Sequence, residues 1–139
     1  PIYIAWSATN RSPLIRIPVT RGAGTRVELR CPDPAANPYL VLAVCLEAGL
    51  DGIRNQITPP DAVTENVFEM QLQQRAKLGI ESLPGDLEQA VEELEKDDYI
   101  KNVLGGHITE KYLEAKRAEW ADYRAQVTEW EIEKYLYKI

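Results

Sequence analysis

The residues best suited to chemistry lie on one short stretch. Arg26-x-Glu28-x-Arg30 places two guanidinium groups and a carboxylate at a spacing of two. In a strand that spacing puts all three on one face, with Val27, Leu29 and Cys31 on the other. A carboxylate is a hard oxygen ligand suited to a divalent cation. Flanking guanidinium forks pair with phosphate or carboxylate through two parallel hydrogen bonds. The row therefore suits one wall of a site that handles phosphate, a metal ion and an anionic substrate. The simpler reading is a solvated sheet face with cross-strand ion pairs, the usual situation of charges on a strand. Arg11, in Asn10-Arg11-Ser12, and Arg16, in Ile15-Arg16-Ile17, add two cations, and Arg21 follows in a turn. Arginines crowded this closely need anionic partners. Bound phosphates would supply them, and so would the glutamates of the rest of the chain.

Other chemical candidates are weaker. His107 is the single histidine and follows two glycines at a helix start, a surface or capping position. Cys45 lies in an apolar helix and Cys31 on the packed side of the row. Neither belongs to the constellation that a nucleophile needs. No P-loop, dinucleotide glycine fingerprint or zinc-ligand spacing is present.

Composition narrows the classes. The chain has 139 residues, 45% of them hydrophobic and 27% charged, enough for one packed domain and unlike a disordered segment. Its 16 basic and 22 acidic residues give a net charge of −6. That argues against nonspecific binding to nucleic acid or anionic membranes, because neutralising phosphates takes a basic surplus. No apolar run approaches the roughly 20 residues that span a bilayer. Two cysteines do not make a disulfide framework, so a reducing, cytoplasmic setting is expected. The chain opens on Pro1-Ile2-Tyr3-Ile4 without a methionine, inside a strand-like run, and reads as a piece of a longer protein.

The elements that must position the charged row point to an α+β fold class. A few antiparallel strands are expected to pack on a buried helix, followed by a helical C-terminal subdomain. Residues 1–53 hold the strands and that helix, 54–85 a long connection, and 86–139 the helical segment. Alternating Ile2, Ile4 and Trp6 predict a first strand, Leu14 to Val19 a second, and Arg26 to Cys31 a third. Asn37-Pro38 is a helix start by residue type. The run Tyr39 to Leu46 is apolar all round, which predicts a helix buried on most sides and ending near Gly49 and Gly52. A short helix is expected near Glu69–Lys77. Asp86 with Gln89 starts another, and Tyr99 to Leu104 forms a further one, stopped by Gly105-Gly106. A last helix is predicted from Thr109 to Leu136, with Trp120, Tyr123, Val127 and Trp130 along one seam.

The stretches Asn10-Arg11-Ser12-Pro13-Leu14-Ile15-Arg16-Ile17-Pro18, Arg26-Val27-Glu28-Leu29-Arg30 and Pro32-Asp33-Pro34-Ala35-Ala36-Asn37-Pro38-Tyr39-Leu40 occur in this order. Together with Ala48-Gly49-Leu50-Asp51-Gly52-Ile53 they resemble the C-terminal part of bacterial type I glutamine synthetases, most closely the Gram-positive branch. The resemblance covers essentially the whole chain. It implies a ligase that joins ammonia to glutamate through γ-glutamyl phosphate, with ATP as phosphoryl donor and Mg²⁺ or Mn²⁺ as cofactor. It implies that Arg11 and Arg16 contact ATP phosphates, Arg26 lies on the nucleotide side, Glu28 ligates the metal, and Arg30 binds the substrate glutamate. It also implies a dodecamer of two hexameric rings, with the C-terminal helix reaching the facing ring. The Trp120–Trp130 seam and Tyr135-Leu136-Tyr137 suit such a tether.

One departure from the family pattern bears on regulation. In another branch a tyrosine of the long connection is adenylylated, and that position is Phe68 here, which has no hydroxyl. The family's other metal ligands and its flap glutamate precede the matched segment, so the chain alone is expected to be inert. Two further readings stay open: a related γ-glutamyl-amine ligase of the same fold, and a non-catalytic assembly module.

Overall fold

The structure, a computed structural model, describes residues 2–136 and 138. The chain divides into two compact units, 1–85 and 86–139.

The first unit holds all the strands among the described residues. They are short: β1 (Tyr3–Ile4), β2 (Trp6–Ser7), β3 (Ile15–Arg16), β4 (Glu28–Leu29) and β5 (Glu81–Ser82). β2, β3 and β4 form one sheet with β3 central, and β1 pairs antiparallel with β5. β3 and β4 are antiparallel, as expected, whereas β2 and β3 run parallel. Pro13 and Pro18 flank β3, and neither can donate to a ladder. The register pairs Ser7 with Arg16 and Arg16 with Glu28, so these three share one row. The small core is built from Pro13, Leu14, Pro18, Val67 and Met70, with Ser7 also buried. Strand β5 and the buried Val67 both lie in the stretch expected to be mere connection. That stretch instead supplies a sheet partner and core residues, besides the expected short helix α2 (Leu72–Lys77).

Helix α1 spans Pro38–Arg54. The Asn37 side chain accepts from the N–H groups of Tyr39 (3.0 Å) and Leu40 (3.3 Å), satisfying two orphan donors of the first turn. The helix continues through Gly49 and Gly52, beyond the expected end, and Gln56 turns the chain with a φ of 51°. The Ile57 N–H donates to Gly52 O at 2.9 Å, closing the C-terminus. The expectation of a buried helix is corrected: no residue of α1 is buried, and Tyr39, Leu42, Leu46 and Ile53 are exposed. An all-apolar helix needs cover on several sides, and the strands within this chain are too short to give it.

The second unit is a set of packed helices, α3 (Leu87–Lys96), α4 (Asp98–Leu104) and α5 (Gly106–Arg124). Asp86 accepts from the Gln89 N–H (2.8 Å) and from the Gln89 side-chain amide (3.1 Å), so both predicted capping residues meet. Gly105, at φ 77°, stops α4 and starts α5 in a conformation that favours glycine. Val91 and Thr109 form the buried centre, and the Thr109 hydroxyl donates to Lys101 O (3.2 Å). Arg117 pairs with Glu95, so a glutamate of the acidic helix has its cation on α5.

The single long C-terminal helix is also corrected. α5 ends at Arg124, and a new turn, α6 (Glu129–Glu131), begins after Thr128 and passes into a π-helical turn at Ile132–Leu136. Thr128 and Glu131 form a reciprocal capping box, which requires non-helical backbone at Thr128. Trp120 therefore stacks on Tyr123 (5.8 Å between rings), while Trp130 meets Tyr135 edge-on (5.8 Å), and the continuous seam is broken. Tyr137, expected to belong to the tether, lies outside the described residues. No helix among the described residues is long and apolar enough to cross a membrane.

Candidate functional site

Three of the five candidates meet at one point. Arg16 stands opposite Glu28 across β3 and β4. Its Nη1 donates to both carboxylate oxygens, at 3.1 and 3.3 Å. Arg26, two residues before Glu28 on the same face, reaches back to the Glu28 Oε1 with Nε (2.9 Å) and Nη2 (2.7 Å). Its Nη1 donates to Gly24 O (3.1 Å), fixing the fork to the short 3-10 turn at Gly22–Gly24. The Arg16 side chain is 20% exposed, Glu28 28% and Arg26 50%.

Two guanidinium groups against one carboxylate leave one positive charge in excess. The hydrogen bonds from Arg16, then those from Arg26, hold the Glu28 carboxyl below the usual glutamate range. Arg16 Nε is buried and has no hydrogen-bond partner. The cluster therefore favours an added anion with oxygen acceptors.

Arg30 and Arg11 form a second junction. The Arg30 N–H donates to Leu14 O (2.9 Å), extending the β3–β4 register past Leu29. The Arg30 Nη1 donates to the carbonyl of Arg11. Arg11 is exposed. Arg21, the fifth arginine considered, closes its own turn by donating to Pro18 O (2.7 Å) and Thr20 O (3.1 Å). His107 is exposed at the start of α5. Cys31 and Cys45 are free thiols, both half-buried, and burial pushes the Cys31 thiol up.

Sequence reasoning overlooked Asn10 and Ser12, which flank Arg11. Their side chains bind each other and reach the 63–67 segment, more than fifty residues away. An Asn two residues before a Ser is a local turn signal, but nothing local reveals the distant partner.

The charged row is an open face rather than an enclosed cavity. A cleft of about 470 Å³ runs between Ile4, Asp61, Glu65 and Lys77, and an apolar one of about 310 Å³ lies against Trp6, Ile15 and Val27. Neither includes any of the five candidates. Trp6 Nε1 donates to Pro60 O (2.6 Å), so the Pro59-Pro60 turn lines the apolar cleft, while Val27 and Leu29 stay exposed.

The arrangement matches known proteins over nearly its whole length. The family model described as "Glutamine synthetase, catalytic domain" matches residues 1–135. A glutamine synthetase of Clostridium saccharobutylicum is 54% identical over 138 residues, covering 99% of this chain and 31% of its own. A glutamine synthetase of Thermotoga maritima is 55% identical over 137 residues, again covering 99% of this chain and 31% of its own. A solved GmaS–ADP complex superposes with a TM-score of 0.85 at 40% identity, covering 98% of this chain and 30% of that one. The chain thus spans about a third of the length of the curated relatives it matches.

Proposed function

Because the chain belongs to the glutamine synthetase catalytic-domain family, we propose that it forms the C-terminal part of a catalytic domain that ligates ammonia to glutamate with cleavage of ATP. The observation that carries this reading is the Arg16–Glu28–Arg26 cluster, a cationic row with one carboxylate at its centre. It coincides with the motif by which the sequence resembles the family. The relationship to a GmaS–ADP complex supports a nucleotide as ligand.

In this reading the glutamate γ-carboxylate attacks the γ-phosphorus of ATP, ADP leaves, and γ-glutamyl phosphate forms. Ammonia then attacks the acyl carbon and phosphate leaves. Such chemistry is promoted mainly by positioning and by stabilising charge on the phosphoryl oxygens. Arg11 and Arg16 hold ATP phosphates, Arg26 lies on the nucleotide side, and Arg30 holds the substrate carboxylate. The N–H groups now engaged by Glu28 are those that turn to phosphate oxygens, so nucleotide and carboxylate compete for them.

Glu28 is the metal ligand in this reading, for Mg²⁺ or Mn²⁺, which would neutralise the transferring phosphoryl group. The residues of this chain do not fit such an ion by themselves. A divalent cation of this kind takes about six oxygen ligands, and the described residues hold no group of three or more His, Cys, Asp or Glu side chains that could share one. Glu28 is one contribution to a site that other residues complete, and the isolated chain is inert.

The exposed apolar face of α1 supports a larger domain, because further sheet would cover Leu42 and Leu46. The exposed Trp130, Tyr135 and Leu136 suit a C-terminal contact between subunits, as in a dodecamer of two hexameric rings in the cytoplasm. Phe68 is exposed and packs edge-on to Tyr3 (5.3 Å between rings). Having no hydroxyl, it offers no group for adenylylation.

Assay of the full-length protein with ATP, glutamate and ammonia tests the reading. Glutamine and phosphate should appear in equal amounts. Turnover with a polyamine but not with ammonia would assign the chain to a γ-glutamyl-amine ligase instead. A rate from the pure 139-residue chain would refute its inertness.

A further inference from the structure

We propose that Asn10 and Ser12 are positioning residues that set Arg11 by clasping its backbone to the 63–67 segment. The inference rests on reading Arg11 as a phosphate-binding residue.

The clasp is a directed network. The Asn10 side-chain N–H group donates to Glu65 O (3.1 Å) and Thr64 O (3.2 Å), with Val63 O at 3.4 Å. The Asn10 Oδ1 accepts from the Ser12 N–H (3.0 Å) and the Ser12 hydroxyl (2.8 Å). The Ser12 Oγ in turn accepts from the Val67 N–H (3.1 Å). Each orientation is forced. Flipping the Asn10 amide would set its oxygen against three carbonyls and its N–H group against the Ser12 N–H. Ser12 has one hydroxyl hydrogen, given to Asn10, which leaves a lone pair for Val67.

The support is rigid. Val67 is fully buried and Met70 nearly so, which anchors the far side of the clasp in the core. On the near side, the buried Ser7 hydroxyl accepts from the N–H of Asn10 (3.3 Å). Arg11 lies between the two clasp residues, and its carbonyl is taken by Arg30. An exposed arginine on a free loop would have to be ordered by its ligand. One on a fixed backbone loses less freedom when it binds. The clasp thus gives an exposed side chain a fixed origin, and it makes the 63–67 segment part of the phosphate site through Asn10 and Ser12.

The test is a double-mutant cycle in the full-length protein, with Arg11→Ala, Asn10→Ala and the pair, read as KM for ATP and KM for glutamate. Arg11→Ala should raise KM for ATP. Asn10→Ala should raise it roughly tenfold or more, with a smaller rise in KM for glutamate, because the Arg30 side chain touches only the Arg11 carbonyl. The pair should be no worse than Arg11→Ala alone. Multiplying effects would overturn the clasp's action through Arg11, and so would an equal rise in both KM values. An unchanged KM for ATP in Arg11→Ala would instead remove the reading of Arg11. Ser12→Ala, which deletes a single oxygen, covers the case in which Asn10→Ala fails to fold. It should speed hydrogen exchange at the Val67 amide, and an unchanged rate would overturn the clasp.

Discussion

Arg16 and Glu28 face each other across antiparallel strands, with one guanidinium nitrogen bridging both carboxylate oxygens at 3.1 and 3.3 Å. A cross-strand pair of opposite charge is common in sheets and contributes little where it is solvated. This pair differs because Arg26 adds a second fork to the same carboxylate, and because Arg16 Nε is buried without a partner. The two observations together give a cation cluster whose hydrogen-bonding capacity is not exhausted by its own carboxylate.

The titration of Glu28 follows from that geometry. Its folded-state pKa lies below the ordinary 4.5. A depressed carboxyl contributes stability that is fully present above the ordinary value and is lost as pH falls through the lowered one. Carboxyl-carbon NMR should show Glu28 titrating below 4.5, with no change of charge through the neutral range. Arg16 and Arg26 both hold the carboxyl down, so Arg16→Gln and Arg26→Gln should each move the midpoint upward. An unchanged midpoint in either variant would contradict the assigned geometry.

The end of α1 carries a strained residue. Gln56 holds a φ of 51°, which costs a residue with a Cβ about 1–2 kcal/mol. Gln56→Gly relieves that strain but adds freedom to the unfolded chain, worth about 0.5–1 kcal/mol in the opposite direction. The net expectation is a gain of about 0.5–1 kcal/mol by urea denaturation. A loss of stability would show that the backbone there is relaxed.

The break before the C-terminal turn depends on Thr128. Its hydroxyl accepts from the Glu131 N–H (3.2 Å) and donates to the Glu131 carboxylate (2.8 Å). Thr128→Ala should weaken the turn by about 1 kcal/mol, read as faster hydrogen exchange at Glu131. Exchange at Thr109, in the packed centre of the second unit, should not change.

Much of the site was legible because its logic is local. The spacing of two between Arg26, Glu28 and Arg30 assigned a shared face, and the register of β3 with β4 then set Arg16 against Glu28. The caps at Asn37 and Asp86 were legible for the same reason, since each binds groups two or three residues away. Long-range features were not. The 63–67 segment looked like connection because its carbonyls are recognised by Asn10, and sequence does not display that pairing. The run from Tyr39 to Leu46 signals burial, but burial depends on what covers a helix as well as on the helix. The helix break at Thr128 was legible in principle, because Thr-x-x-Glu marks a start. The aromatic spacing of Trp120, Tyr123, Val127 and Trp130 masked it.

The central claim is that one short charged face divides its labour between nucleotide and amino-acid substrate. Steady-state kinetics of the full-length protein with Arg26→Lys and Arg30→Lys test it most directly. Lysine keeps the charge but loses the planar fork. The account predicts that Arg26→Lys raises KM for ATP and leaves KM for glutamate nearly unchanged, while Arg30→Lys does the opposite. Equal rises in both constants for both variants, or no rise in either, would contradict it.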